Sequence, residues 1–437
     1  MDSEQFDIIV IGAGIAGGVF AATQSKELKI LVIERTLSEQ ERIVGELMQP
    51  DGLAALEKLN LGHLTENIDA QTITGYKLIK GNENFAIEYT EIDKGISGLG
   101  LRNGKFLLNI QKNLSNLKNV KLIEGNVIEL LESEDGIVGV KYQSDGNTIE
   151  AKAKLTVASD GHNSFFRKHL SKPEKKVESY FMGLVLEDLK LESPSLGNMI
   201  VTGDAPILVY PIHSNGYRIL VDYPGEKPPR MGTKSIEKFR DDVSQILPEE
   251  MIASFHEAIK NQQVQVMPNH QMKAQAFRKK GAVLLGDSLN MRHPLTGGGM
   301  TATFNDIITL NSKLKEVDFQ DEAQLEKAIQ DYYNSRSAKV ESINILANAL
   351  YKVFRDEDLK QACFEYLQKG GEKSTGPLSI LAGINKSKKY LLKHFFKVAM
   401  QHPTHFVTKP KKQMRLYKNA LAIIRPILKD EEKPAIV

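Results

Sequence analysis

The stretch Phe6–Gly17, FDIIVIGAGIAG, leaves a chain few ways to fold. An unbroken apolar run reads as a buried strand, and it enters Gly12-x-Gly14-x-x-Gly17 before AGGVFAATQ continues as a helix. A second strand, LKILVIER, then ends at Glu34, 22 residues beyond Gly12. That spacing is a dinucleotide-binding βαβ start. The glycines allow a tight turn and close packing, Ile15 and Ala16 offer N–H groups to a pyrophosphate, and Glu34 and Arg35 belong to the ribose end. The fingerprint alone does not choose between FAD and NAD.

Two later segments narrow the choice. KLTVASDGHNSFFRKHL is a strand, the pair Asp160-Gly161, and a helix; Gly281–Leu310 is a strand into Gly286-Asp287, a loop through Pro294, then Gly297-Gly298-Gly299 before a helix from Met300. Without β-carbons, such a loop lets backbone N–H groups approach a planar ring, and the helix behind it offers a partial positive charge suited to an anionic reduced flavin. The Gly-x-Gly-x-x-Gly fingerprint, Asp160-Gly161 and Gly286-Asp287, in this order, resemble the signature of the flavoprotein hydroxylase superfamily that includes p-hydroxybenzoate hydroxylase. The longer wording GDSLNMRHPLTGGGMT is similar to the second FAD motif of the squalene monooxygenase (squalene epoxidase) family.

Other segments carry the same resemblance. ERIVGELMQPDG is similar to the family's DRIVGE-x-x-QPGG, whose Arg, here Arg42, contacts FAD; Asp51 stands where the family usually has Gly. IDAQTITGYKL is similar to DAQ-x-x-x-GY, which implies that Tyr76 hydrogen-bonds Gln49 at the substrate end of the flavin. After GLGLRNG the family has an Arg that contacts FAD; the resemblance implies the same contact for Lys105 here, which keeps the charge and loses the planar fork. The resemblance further implies that Val127 touches the adenine, that Asp160 and Asp287 hold FAD, and that Gly298, Gly299 and Met300 face the flavin ring. It also implies a substrate tunnel along Tyr76, Leu78, Pro294 and Leu295. The C-terminal wording SINILANALYKVF, ACFEYLQKGGE and GPLSILAGI matches too, so the likeness runs from about residue 6 to about 428.

The implied architecture is an α/β fold: a Rossmann-like FAD-binding domain, an inserted antiparallel β-sheet substrate domain and a C-terminal helical membrane-associated region. The FAD-binding domain is expected at 1–75, 98–175 and 276–330, the substrate domain at 76–97 and 176–275, and the helical region at 331–437. VKLIEGNVIELLESEDGIVGVKYQSDGNTIEAK, with its Asp-Gly turns, reads as a small antiparallel sheet.

Charge is unevenly spread. The net charge is +2, yet Asn385 to Lys429 holds twelve Lys or Arg and no acid, leaving 45 basic against 55 acidic residues elsewhere. The cations are interleaved with YLLKHFFKVAM and LAIIRPIL, a pattern that fits a membrane interface better than nucleic acid. No apolar run approaches the about 18 residues of a spanning helix, and no signal peptide precedes the first strand. Monotopic or peripheral attachment facing the cytoplasm is expected, at the endoplasmic reticulum in a eukaryote. The single cysteine, Cys363, excludes an internal disulfide and reads as core.

Epoxidation of an alkene needs an electrophilic oxygen that no side chain offers. Reduced flavin and O₂ give a C4a-hydroperoxide whose distal oxygen the double bond takes. This accounts for a sequence with no evident Ser/His/Asp set, metal cluster or acid-base carboxylate pair. The expected activity is conversion of squalene to (S)-2,3-oxidosqualene. With one dinucleotide fingerprint, electrons come from NADPH directly or through a reductase, and the resemblance implies an NADPH-dependent diflavin reductase. The alternatives are a flavoprotein acting on another lipid, an isoprenoid reductase, or a non-catalytic FAD-containing lipid-binding protein. A halogenase is disfavoured because its signature needs tryptophan and the chain has none.

Overall fold

The computed structural model describes residues 4–172, 174–203, 205–277, 279–400 and 410–431. Its first sheet has seven strands. Val120–Glu124, Ile30–Glu34, Glu4–Ile11 and Asn147–Ala158 lie side by side and parallel, and Ala282–Leu284 pairs parallel with the end of Asn147–Ala158. These central runs are apolar at nearly every position because helices cover both faces. Ile8, Ile9 and Val10 have no exposed surface. Gly136–Ser144 and Asn126–Ser133 extend the same sheet as antiparallel hairpins.

This corrects one expectation. VKLIE is not part of a separate antiparallel sheet; it pairs parallel with Ile30–Glu34, and the hairpins join the cofactor sheet through the twelve-residue strand Asn147–Ala158. Asp-Gly turns reveal which strands are consecutive neighbours, but not what the outer edge of the last strand meets.

The second sheet runs in the order Gln265–Gln271, Lys176–Glu187, Gly216–Pro224, Ile207–His213, Leu196–Ile200, Gly75–Lys80 and Glu83–Glu88. Strand alternation divides its side chains. Met182, Leu184 and Leu186 pack under helices Thr233–Ser244 and Glu249–Asn261 with Met251 and Phe255, whereas Phe181 and Val185 face the other way. That opposite face meets the first domain and the C-terminal helices.

A buried ion pair ties the ERIVGE stretch to the second sheet. Arg218 donates through Nε to Glu46 Oε2 at 2.6 Å and through Nη2 to Oε1 at 3.0 Å, and both residues are buried. Glu46 lies in the ERIVGE stretch, whose Ile43 presses on Gly183 of the second sheet.

Beyond Gly299–Leu314 the structure is helical: Glu322–Arg355, Glu357–Gln368, Glu372–Leu381, Lys388–Ala399 and Pro410–Glu431. Asp321, Asp356 and Ser387 cap three of these helices by accepting first-turn N–H bonds. Much of the basic tail is paired with the acidic body. Lys386 meets Asp51 at 2.8 Å, Lys388 meets Glu341 at 2.6 Å, Lys393 meets Glu372 at 2.7 Å, and Arg415 meets Asp358. Among the described residues, no helix is long and apolar enough to cross a membrane. The tail segment 401–409 lies outside the described residues.

Candidate active site

The three glycine-bearing turns converge at the ends of the parallel strands. A β-carbon on Gly17 would lie 2.0 Å from the Gly12 carbonyl oxygen and 2.3 Å from Ser159 Oγ, so this position demands glycine for packing. One on Gly14 would meet nothing within 4 Å. Gly14 therefore leaves bare backbone facing open space at the N-terminus of helix Ile15–Ala22, as a pyrophosphate requires. Glu34 sits beside this turn, its Oε2 accepting from Ala13 N at 2.7 Å. Gly286 adopts φ +72°, and its α-carbon lies so close to Ala16 that a β-carbon would approach the Ala16 methyl at 2.6 Å.

Arg167 holds the two Gly/Asp turns against each other. Its guanidinium donates to the carbonyls of Ser288 at 2.8 Å, Asp287 at 2.9 Å and Gly161 at 3.0 Å. Asp160 accepts from Phe165 N at 2.8 Å, while its other carboxylate oxygen is buried with no hydrogen-bond partner.

Between these turns and the second sheet lies a cleft with about 1350 Å³ of empty space, counting the part open to solvent. Gly14, Ile15, Ala16, Arg42, Asp287, Gly299, Met300 and Pro294 line it, so eight of the residues picked from sequence meet in one place. Leu208, Tyr210, Leu220 and Met267 close the far side. Gly299 begins helix Gly299–Leu314, and a β-carbon there would meet nothing within 4 Å. Two helix N-termini and two open glycines thus face one cavity. These residues fit an FAD.

Other picked residues fall elsewhere. Gly17 and Gly12 shape the turn, Arg35 is exposed just past its strand, and Gly298 caps the helix with its α-carbon against Ile343. From helix Asn103–Ser115 the cleft receives Asn103 and Leu107; Lys105 is near enough to act electrostatically on Asp69. Val127 packs on the first core opposite Tyr142.

Gln49 and Tyr76 meet. The Gln49 amide nitrogen donates to the Tyr76 hydroxyl and to the Thr296 carbonyl, both at 2.7 Å, and its oxygen accepts from Tyr89 at 2.6 Å. Gln49 also touches the glycine loop, since a β-carbon on Gly297 would come within 3.3 Å of its nitrogen. Burial pushes both phenols above their ordinary value, so they stay neutral.

On the other side of Tyr76 a second cavity opens, with about 1020 Å³ of empty space, again counting the part open to solvent. Its walls include Leu78, Met199, Leu350, Phe354, Leu378 and Phe395, contributed by the second sheet and the C-terminal helices. Tyr76 and Leu78 thus belong to an apolar chamber, Pro294 to the cleft, and Leu295 to the packed core between them.

Sequence reading missed several partners. Tyr89 lies in a half-exposed strand-turn pattern with nothing to flag it, and Asn103 hides behind the charged Lys105. A buried polar cluster also went unseen. His293 Nε2 lies 3.0 Å from Ser179 Oγ, which donates to Asp222, and Asn269 donates to both Ser179 and Asp222. Burial holds His293 down at about 3 and raises Asp222 to about 6, so their 3.8 Å approach is not an ion pair at neutral pH. His293 stacks on Tyr351 with ring centres 3.8 Å apart, which fixes the loop leading to the three glycines.

The fold resembles that of the FAD-dependent monooxygenases, and the cleft fits their cofactor. Solved structures of this class superpose on the chain: a probable FAD-dependent monooxygenase, pqsL of Pseudomonas aeruginosa, at TM-score 0.69, 17% identity and coverage of 83% of this chain and 100% of the other. The p-nitrophenol 4-monooxygenase PnpA of Pseudomonas putida gives 0.68, 19%, 90% and 98%. Sequence comparison is narrower. The model of the squalene epoxidase family matches residues 152–417, and that of glucose inhibited division protein A matches 7–278. The chain is 39% identical to squalene epoxidase 3 of Arabidopsis thaliana, covering 97% of this chain and 84% of that protein. It is 36% identical to the squalene monooxygenase of Mus musculus, covering 98% and 78%. The chain belongs to the squalene epoxidase family.

Proposed function

We infer that this protein epoxidises squalene, using FAD, O₂ and electrons that originate in NADPH. The observation that carries the reading is the apolar chamber behind Tyr76, which abuts the flavin cleft through the Gln49 contact. Squalene has no polar atom, so its affinity must come from burying hydrocarbon, and its selection from the length and shape of the chamber. Bound reduced FAD supplies, with O₂, the electrophilic oxygen. The protein's own residues bind and orient. Gly14–Ala16 would hold the pyrophosphate, Asp287 would hold flavin-chain hydroxyls, and the Gly297–Met300 turn, at a helix N-terminus, would receive the ring and favour negative charge on it. Gln49, fixed by Tyr76, Tyr89 and Thr296, forms the partition between cofactor and hydrocarbon.

A substrate dissolved in lipid requires a chamber mouth at a membrane. Helix Lys388–Ala399 forms part of the chamber wall, and it, the residue after it and helix Pro410–Glu431 carry exposed Lys389, Met400, Lys411, Met414, Lys418 and Arg425. This supports peripheral or monotopic attachment through the C-terminal helices. Electrons are delivered by an NADPH-dependent diflavin reductase.

Filling the chamber tests the reading. Ala349→Phe should abolish squalene turnover while the protein stays yellow with full FAD occupancy. Undiminished turnover would place the substrate elsewhere. Removal of Asn385 to Val437 should lower co-sedimentation with anionic vesicles and leave FAD bound; unchanged sedimentation would move the anchor.

A further inference from the structure

The segment following Asp160-Gly161 presents a surface that neither FAD nor squalene uses. Phe165 is 53% exposed, the most of any large hydrophobic side chain among the described residues. It is not a loose ring. Its backbone N–H is held by Asp160, its ring packs edge-on against buried Phe166 with centres 5.2 Å apart, and Lys168 Nζ sits 4.1 Å over its face. Between residues 165 and 176 the chain carries Arg167, Lys168, Lys172, Lys175 and Lys176 against the single acid Glu174. Lys168, Lys172 and Lys176 are exposed. Lys175 is tied to the loop, donating to the His162 carbonyl at 2.9 Å. Outside the C-terminal tail the chain is net acidic, so this basic patch stands against the charge of its surroundings.

The patch lies on the outer side of the flavin cleft. Gly161 and His162 line that cleft, and three residues later Phe165 faces solvent, so one loop separates the patch from the cofactor. Electrons have to reach the flavin from outside.

We propose that Phe165, with Lys168 over its ring and the exposed Lys172 and Lys176 of the same segment, is the docking surface for the acidic face of the electron-donating flavoprotein. This rests on the epoxidase reading above. A rigid exposed aromatic with a lysine over its face and further exposed lysines in the same segment suits a protein partner, because the aromatic gives contact energy and the charges steer the encounter. None of these four side chains lines either cavity described above, so the patch offers no pocket for a free nucleotide. Membrane is the other class of partner for such a patch, and the sheet order argues against it. Lys176 begins the second strand of the second sheet, whereas the apolar chamber is walled by Gly75–Lys80 and Glu83–Glu88 at the opposite edge. Four strand spacings, roughly 19 Å, separate the two.

The test uses the holoenzyme carrying Lys168→Glu, Lys172→Glu and Lys176→Glu together, and Phe165→Ala separately. Binding of a soluble diflavin reductase is measured directly at low and high salt, beside the reductase concentration giving half-maximal squalene turnover. The triple variant should bind the reductase at least about tenfold more weakly at low salt and lose most of the salt dependence. Phe165→Ala should weaken binding at all salt concentrations. FAD content, KM for squalene, turnover extrapolated to saturating reductase, and vesicle co-sedimentation should stay as in the unaltered protein. Unchanged reductase binding in both variants overturns the proposal, as does loss of vesicle sedimentation with reductase binding intact. If the unaltered protein fails to epoxidise squalene yet binds the reductase through this patch, the epoxidase reading fails and the docking surface stands.

Discussion

Replacing Tyr76 by Phe isolates one bond at the partition between flavin and hydrocarbon. The Gln49 amide group has two hydrogens, one given to the Tyr76 hydroxyl and one to the Thr296 carbonyl. Gln49 is 1% exposed, so in Tyr76→Phe one N–H is left buried with no acceptor. That costs about 1–3 kcal/mol of stability, more than the net worth of an ordinary hydrogen bond. The amide does not swing away, because Thr296 and Tyr89 still hold both its ends. Turnover should therefore fall only several-fold, corresponding to about 0.5–1.5 kcal/mol of lost positioning. The assay combines thermal unfolding, flavin absorbance after desalting, and turnover of squalene from pH 6 to 9. FAD occupancy should be unchanged, and the shape of the pH profile should match that of the unaltered enzyme, since burial keeps the Tyr76 phenol neutral across that range. A loss of several thousand-fold, or removal of a titrating limb near pH 7, would make Tyr76 a proton donor and refute the positioning role.

Asp287→Ala should weaken FAD binding by roughly 1.5–3 kcal/mol through loss of a charge-assisted hydrogen bond, seen by titration of the apoprotein; unchanged affinity would remove Asp287 from the cofactor site. Arg218→Leu should destabilise the protein by about 3–5 kcal/mol, because it strands Glu46 as an uncompensated buried carboxylate, and Glu46→Gln in the same chain should recover part of the loss. Stability should decline on mild acidification. Burial, aided by neighbouring cations, lowers His162 and His270 from 6.5 to about 4, and burial lowers His293 to about 3, so the unfolded chain binds their protons first. Their contribution is complete above pH 6.5 and is lost as pH falls toward 4 and 3. Asp222, raised from 3.8 to about 6, acts oppositely between those values, one group against three. A thermal midpoint that does not move between pH 7 and 5 would contradict this balance.

What could be read from the sequence was local. Gly12, Gly14 and Gly17 announced their strand–turn–helix because backbone strain and close approach allow few substitutes, and the structure shows which is which: Gly17 is filled from all sides and Gly14 is open. The apolar alternation of Lys176–Glu187 revealed a sheet, but not that both its faces would be covered. Long-range partners left no trace in spacing. Glu46 and Arg218 are 172 residues apart, and the Asp222–Ser179–His293 cluster spans three separate elements. Asp51, a departure in the turn after Pro50, is explained only by the fold. Its carboxylate accepts from Asn305 at 2.8 Å and pairs with Lys386, joining the helix behind the three glycines to the C-terminal segment. The basic tail was legible as composition, yet several of its cations are spent on body carboxylates rather than offered to a membrane.

The central claim is oxygen transfer to squalene on FAD held by this chain. The most direct measurement incubates the FAD-loaded protein, a diflavin reductase, NADPH and squalene under ¹⁸O₂, and analyses the product by mass spectrometry. The expected product is 2,3-oxidosqualene carrying one ¹⁸O atom, formed only when FAD is present. A product with oxygen from water, a saturated product, or NADPH consumption that yields only peroxide would contradict it.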